Sequence, residues 1–453
     1  MSAFIPKQIL TVDIDRALPD LTSQMDSELN NYKIALVLVY LHTQLLGTVD
    51  IEIPKDGLQA TGLANMIWSS LAPQIQDHLT QDGMTQTKPL DQTGLNLLPN
   101  PSCLQMQRDL MVSAPLVSIV IATRDRVASL AACIESVLAL DYPNYNIVIV
   151  DNASKSSETA GYIHNKFPNS TKVRYLREDV PGLAIAHNRA LKEVDAPIVV
   201  FTDDDVIVSP NWLKDIVANF QQDSQIGCVT GMILPYEIET PPQLWIEQFG
   251  GFGKGYKRIV FDMRENRPDD FLFPYSAGRF GSGANMAFRT SVLKAIGGFD
   301  PALGAGTLAK GGDDLAVFFD VIAQGYRLVY EPRAILYHKH RRDYAGLAQQ
   351  AYGYGVGLSA FLMKTIIDKP SRLFELFFKI PAGLKHMLNP YSPKNQKKQT
   401  DYPHELTQLE LKGFLIGPLA YLRSHLSVAR QKEKLPNFNR ASNIGNISPT
   451  PDA

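Results

Sequence analysis

Hydrophobic positions divide the chain into regions with different periods. Lys33 to Leu41 and Leu45 to Ile53 are apolar runs about a short turn and predict a hairpin. Leu63, Ile67, Leu71, Ile75 and Leu79 then recur at helical spacing. Residues 1–85 therefore read as a small α/β module, and the polar, Pro- and Gly-containing stretch 86–114 as a linker. From Pro115 the pattern changes to continuous apolar strands alternating with helices: PLVSIVIATRDR, a helix over Val127 to Leu140, NIVIVDNAS, a helix over Glu158 to Phe167, Lys172 to Leu176, a helix over Leu183 to Val194, and PIVVFTDDDV. Strands buried on both faces argue for an α/β fold with a mostly parallel sheet and helices on both sides, assigned to residues 115–343. Ligands of such sheets bind beyond the carboxyl ends of the strands. Those ends are polar here: Thr123 to Arg126, Asp151 to Ser154, and Asp203 to Asp205. Past Trp212 the alternation loosens, and Pro235 to Ser282 reads as aromatic- and Gly-rich loops over the crevice. A helical region is predicted over 344–433, and a disordered Pro-, Asn- and Ser-rich tail over 434–453.

Composition narrows the class. The chain has 453 residues, 45% hydrophobic and 20% charged, enough for a sizeable core. A formal charge of -2 gives no basic excess, so a nucleic-acid partner is not expected. Cys103, Cys133 and Cys228 stand singly, with no zinc or disulfide spacing, which fits a reducing compartment. The N-terminus lacks the charged and apolar regions of a signal peptide, and IALVLVYL is too short to span a bilayer. A cytoplasmic protein is expected, peripheral at the inner face of the plasma membrane if it meets lipid at all. GFLIGPLAYLRSHLSVARQKEK mixes apolar and cationic residues and fits either ordinary helix packing or an interfacial helix.

The strongest chemical signal is VVFTDDDV. Adjacent carboxylates repel, and at a buried strand tip they are costly unless a cation neutralises them. Mg²⁺ or Mn²⁺ held by one or two carboxylates plus substrate phosphates is the usual solution. Asp203 and Asp205, two apart on an extended backbone, can face one side, which turns Asp204 away. A solvated acidic loop is the bland alternative. Asp151 fits an Asx turn or a helix cap as well as a contact to a nucleotide base or ribose. Asp313 and Asp314 follow a Gly pair at a helix start; helix capping needs one acid, and the second is a candidate general base. Gly281 to Ala284 permit close approach of a ligand or of a strand. His338, His340, Arg341 and Arg342 form a cationic cluster that fits a diphosphate, a metal ligand or a plain basic turn. His187 fits either the crevice or a helix face.

In joint order, SIVIATRDR, VIVDNAS, GLAIAHN, FTDDDV with PNWL, GSGANMAFR, GGFD, GGDDLA and YHKHRRD resemble family 2 glycosyltransferases of the GT-A, Rossmann-like fold, over about Pro115 to Lys364. The resemblance implies transfer of a sugar from a nucleotide-diphosphate donor to a saccharide or lipid-linked acceptor by inverting displacement. It places Thr123, Arg126, Asp151, Asp203, Asp204, His187 and Asn188 at the donor. Asp203, Asp205 and His338 fall to the metal, Asp314 to the catalytic base, and Gly283, Asn285 and Asp313 to the acceptor. Asp313 stands where the family commonly has Glu, and His187 where it often has Arg. Two rivals remain at this stage. FTDDDVIV also fits a haloacid dehalogenase-like phosphatase, although three strand–helix units precede it. A non-catalytic nucleotide-sugar-binding scaffold would keep the crevice without a base.

Overall fold

The computed structural model describes residues 4–21, 32–84, 88–95, 101–250 and 252–434; the predicted tail lies outside them except for Lys434. The chain opens with β1 (Lys7–Asp13), β2 (Ile34–Leu41) and β3 (Gln44–Glu52), in the order β1-β2-β3. β2 and β3 form the predicted hairpin, and β1 joins β2 in parallel. β1 was invisible to the hydrophobic pattern because only one of its residues is buried. α1 (Ala60–Gln81) covers this sheet, and its apolar stripe meets Val37, Val39 and Leu41 in one core. The opposite face of β2 presents Leu38 and Tyr40 to the core of the larger sheet, so period-2 alternation joins the module to the rest of the chain. The predicted linker contains a helix, α2 (Ser102–Val112), which its polar composition had hidden.

The larger sheet begins with β4 (Val117–Thr123), α3 (Val127–Leu138), β5 (Tyr145–Asn152), α4 (Glu158–Lys166), β6 (Val173–Glu178), α5 (Leu183–Glu193) and β7 (Ile198–Thr202). These strands are parallel and lie in the order β7-β4-β5-β6. The chain thus moves outward from β4 to β6 and returns through α5 to the other side of β4. That reversal opens a crevice at the carboxyl ends of β4 and β7. Next come β8 (Val206–Val208), α6 (Trp212–Gln222), β9 (Ile226–Pro235), α7 (Pro241–Gln248), β10 (Ile259–Phe261), β11 (Asn285–Arg289), α8 (Thr290–Ala295), α9 (Asp313–Ala323) and β12 (Arg327–His338).

The expected parallel pairing holds through the first half and again between β9 and β12, but antiparallel strands enter the second half. β11 inserts antiparallel between β7 and β9, and β8 and β10 pair antiparallel with β12. The sheet is therefore mixed, with helices on both faces. Alternate residues of the inner strands feed two separate cores. Val120, Val148 and Phe201 face one, with α5 and α9; Ile119, Ile147 and Val200 face the other, with α3 and α6.

The C-terminal region is helical as predicted: α10 (Tyr344–Asp368), α11 (Arg372–Leu388) and α12 (His404–Lys434). α10 and α12 pack backbone to backbone. A Cβ on Gly355 would come 1.9 Å from the Glu410 carbonyl oxygen, and one on Gly413 2.2 Å from that of Tyr352. α10 also abuts the start of α9, where Gly312 adopts φ +84° beneath Gly357.

Candidate active site

A cleft of about 1700 Å³ lies over the carboxyl ends of β4 and β7. Its floor is the acidic triplet, its walls are the loops before β11 and α9, and α10 and α11 close its far side. Thr123 ends β4 and Arg126 precedes α3, both opposite the triplet. The Thr123 hydroxyl donates to Asp204 at 2.7 Å, and the Arg126 guanidinium reaches Asp204 at 2.6 Å and Asp205 at 2.8 Å. The buried Asp204 is thus held by Thr123 and Arg126, and the same guanidinium ties it to Asp205.

Asp203 and the other carboxylate oxygen of Asp205 meet His338. Carboxylate oxygens of both and a ring nitrogen of His338 lie within 4.8 Å of one another. The cause is strand pairing. β8 follows the triplet at once and runs antiparallel to the end of β12, setting Val206 opposite His338, and the Lys339 N–H donates to the Asp205 carbonyl. His338 Nε2 is 3.4 Å from Asp205. Its Nδ1 lies 3.2 Å from His340 Nδ1, and His340 Nε2 lies 2.8 Å from Glu247. If Glu247 accepts from His340, then His340 accepts from His338 Nδ1–H. The His338 Nε2 lone pair is thereby left facing the carboxylates. Burial lowers the His338 imidazole to about 4, so it is neutral near pH 7. Burial and the charges of Asp205 and Asp204 push the Asp203 carboxyl well up, whereas His338 and Arg126 hold Asp205 low against the effect of burial. Such a set, two carboxylates and one neutral imidazole on an otherwise repulsive acidic tip, fits a divalent cation with oxygen-rich coordination.

Across the cleft, α9 starts at Gly312, and its first two residues are Asp313 and Asp314. Asp314 accepts from the Gly283 N–H at 3.0 Å and the Leu315 N–H at 2.8 Å. Its depth in the cleft raises its carboxyl above the ordinary range. Asp313 is buried, and burial together with the Asp314 charge raises it to about 7. Gly283 lies against Asp314, where a Cβ would be 3.2 Å from that of Asp314. Register explains the approach: Asn285 pairs with Thr202, so the loop before β11 runs beside the triplet.

Other expected site residues serve the scaffold. Asn285 is fully buried, away from the cleft; it donates to the Met232 and Ala334 carbonyls at 2.9 Å and accepts from Trp212 Nε1 at 2.9 Å. Its position between β9, β12 and α6 leaves it no access to an acceptor. Asn188 exchanges hydrogen bonds with the Phe299 backbone through both ends of its amide, and it is not among the residues that line the cleft. His187 touches the cleft wall, but its ring is wedged 4.8 and 4.9 Å from the Phe201 and Phe299 rings, and burial lowers it to about 3. The buried Asp151 carboxylate takes bonds from Ser154, from the Tyr175 hydroxyl at 2.7 Å and from Arg177 at 3.1 Å. Of the cationic cluster, Arg341 lines the cleft, while Arg342 pairs outward with Glu237 and Glu239. Lys254, unmarked by any sequence pattern, also lines the cleft, and burial lowers it to about 8.

Residues 118–297 match the sequence model described as Glycosyl transferase family 2. The uncharacterized protein y4gI of Sinorhizobium fredii is 30% identical over 242 residues, which are 50% of this chain and 25% of that protein. The chain thus spans a quarter of that relative's length. The glucosyl-dolichyl phosphate glucuronosyltransferase of Haloferax volcanii is 22% identical over 251 residues, covering 53% of this chain and 75% of that one. A solved mannosyltransferase of Pyrobaculum calidifontis, in complex with GDP-Man and Mn²⁺, overlays with a TM-score of 0.43 at 18% identity, covering 75% of this chain and 90% of that one. By the family match, the segment from β4 through α8 belongs to glycosyl transferase family 2.

Proposed function

We propose that this family 2 chain is a glycosyltransferase: it moves a sugar from a nucleotide-diphosphate donor to an acceptor hydroxyl, with inversion, in the cleft above β4 and β7. The observation that carries the reading is the convergence of Asp203, Asp205 and His338, with Asp314 across the same cleft. Asp203, Asp205 and His338 would hold Mn²⁺ or Mg²⁺, which when bound offsets charge on a leaving diphosphate as a Lewis acid. Arg126 and Thr123 fix the triplet's geometry through Asp204, so the carboxylates need not reorganise when the donor arrives. Arg341, on the cleft wall, supplies a cation for diphosphate oxygens. Asp314 accepts the proton of the attacking hydroxyl. Its two backbone hydrogen bonds fix the carboxylate's orientation, and its raised affinity for a proton makes it a better base than an exposed Asp. Gly283 and Asp313 line the acceptor side. The family match and the crossover through α5 both weigh against the phosphatase reading.

The acceptor side also suggests where the substrate comes from. α11 exposes Phe374, Phe377 and Phe378 at 65–73%, with Leu373, Ile380 and Leu388 at 51–55%. No helix among the described residues is long and apolar enough to cross a membrane. An apolar helix face beside the cleft fits a lipid surface carrying the acceptor. The test is nucleoside diphosphate release from a panel of nucleotide sugars with Mn²⁺, with and without lipid-linked and soluble saccharide acceptors. Release that depends on donor, cation and acceptor is expected. Phosphate release from simple phosphate esters, or donor binding without turnover, would overturn the proposal.

A further inference from the structure

Far along the chain from the triplet, four residues that share no sequence motif meet in the N-terminal module. His42 lies in the turn between β2 and β3, His78 in the last turn of α1, Asp82 just after it, and Cys103 in the first turn of α2. His42 and His78 are each 5% exposed, and the Asp82 side chain 3%. One potential ligand atom from each lies within 4.8 Å of the other three. The resolved edges are short: His42 Nδ1 to His78 Nε2 3.1 Å, His42 Nδ1 to Asp82 Oδ2 2.9 Å, His78 Nε2 to Asp82 Oδ2 3.3 Å, and Cys103 Sγ to Asp82 Oδ2 3.1 Å.

We propose that His42, His78, Asp82 and Cys103 form a structural zinc site, separate from the cation site of the cleft. A tetrahedral ion bound at about 2.0–2.3 Å has ligand atoms roughly 3.3–3.7 Å apart. The observed edges need open by only a few tenths of an ångström to match. The ligand types decide the ion: one sulfur, two imidazoles and one carboxylate suit zinc and not Mg²⁺ or Ca²⁺, which prefer oxygen. Charge closes as well, since a thiolate and a carboxylate balance a divalent ion between two neutral imidazoles. Asp82 is already oriented. Its Oδ1 accepts from the Ser102 hydroxyl at 2.8 Å and the Cys103 N–H at 2.9 Å, so Oδ2 is the oxygen turned toward the cluster. His78 and Asp82, four apart, fall on one side of α1.

The site would fasten α2, within the predicted linker, to α1 and to the β2–β3 turn. α2 also packs on α6 of the larger sheet, so the ion would fix the module against that sheet. The test uses the full chain purified without chelator. Elemental analysis is expected to find about one zinc per chain. The zinc should persist in the Asp203→Asn/Asp205→Asn variant and be lost in Cys103→Ala. Wild-type protein stripped and reloaded with Co²⁺ should show a thiolate-to-cobalt charge-transfer band and tetrahedral d–d absorption. Both should survive in the Asp203→Asn/Asp205→Asn variant, and stripping should lower the melting temperature. Should Cys103→Ala fail to fold, the cobalt spectrum of the wild type still decides. Zinc-free wild type without a charge-transfer band would mean a metal-free hydrogen-bonded cluster and overturn the proposal, as would zinc lost with the cleft carboxylates alone.

Discussion

Replacing Asp314 by Asn removes a proton acceptor while nearly preserving its shape, so the two roles of this side chain can be separated. Both Asp314 oxygens accept backbone N–H groups, from Gly283 and Leu315. An asparagine can serve one of them and leaves the other unpaired, at a cost of about 1–3 kcal/mol. Part of that cost is offset, because the amide avoids burying a charge that the cleft disfavours. The net loss should lie within about 2 kcal/mol, small beside a typical stability of 5–15 kcal/mol. Loss of a general base, by contrast, typically costs 10²–10⁴ in rate, which is about 2.7–5.5 kcal/mol of barrier. The expected variant is therefore folded, binds nucleotide sugar with unchanged affinity, and turns over at least 100-fold more slowly. Nucleoside diphosphate release under saturating donor and acceptor measures the rate, calorimetry the donor affinity, and urea unfolding the stability. A folded Asp314→Asn with turnover within tenfold of wild type would show that the proton goes elsewhere.

Three further outcomes are expected. Asn285→Leu strands the Trp212 indole N–H and the Met232 and Ala334 carbonyls, costing about 3–6 kcal/mol in urea unfolding; a variant of wild-type stability with only a raised acceptor KM would restore Asn285 to the acceptor site. Glu247→Gln disturbs the chain through His340 to His338 and should weaken Mn²⁺ binding 10–100-fold by titration calorimetry, whereas equal affinity would show that the chain does not orient the ligand. Asp313 has a folded value near 7, above the ordinary aspartate value of 3.8 that holds in the unfolded chain, so its protonated form stabilises the fold fully below about pH 3.8 and that contribution is lost as pH rises through 7. Asp313→Asn should therefore flatten the fall in stability between pH 5 and pH 8 by on the order of 2 kcal/mol, and urea midpoints with unchanged pH dependence would contradict this.

Much of the arrangement was readable from local pattern. Apolar strands with polar ends announced the parallel half of the sheet and placed Thr123, Asp151 and Asp203 at its tips, because burial on both faces and the end of burial are written residue by residue. The Gly pair before Asp313 marked the start of α9 in the same way. What pattern could not supply was partnership between distant segments. β11 entered antiparallel, and its register made Asn285 a buried strut and not a ligand contact.

Strand order and register are decided by packing over the whole sheet. Pairing of β8 with β12 carried His338 to Asp205 from more than a hundred residues away, and side-chain hydrogen bonding gave Asp204 to Thr123 and Arg126. The singly spaced Cys103 looked inert until the fold set it beside His42, His78 and Asp82. The sequence by itself therefore determined which chemistry the chain carries and where its strands end. Only the tertiary structure decided which of those groups meet, because a site's electrostatics depend on distances that backbone neighbours do not set.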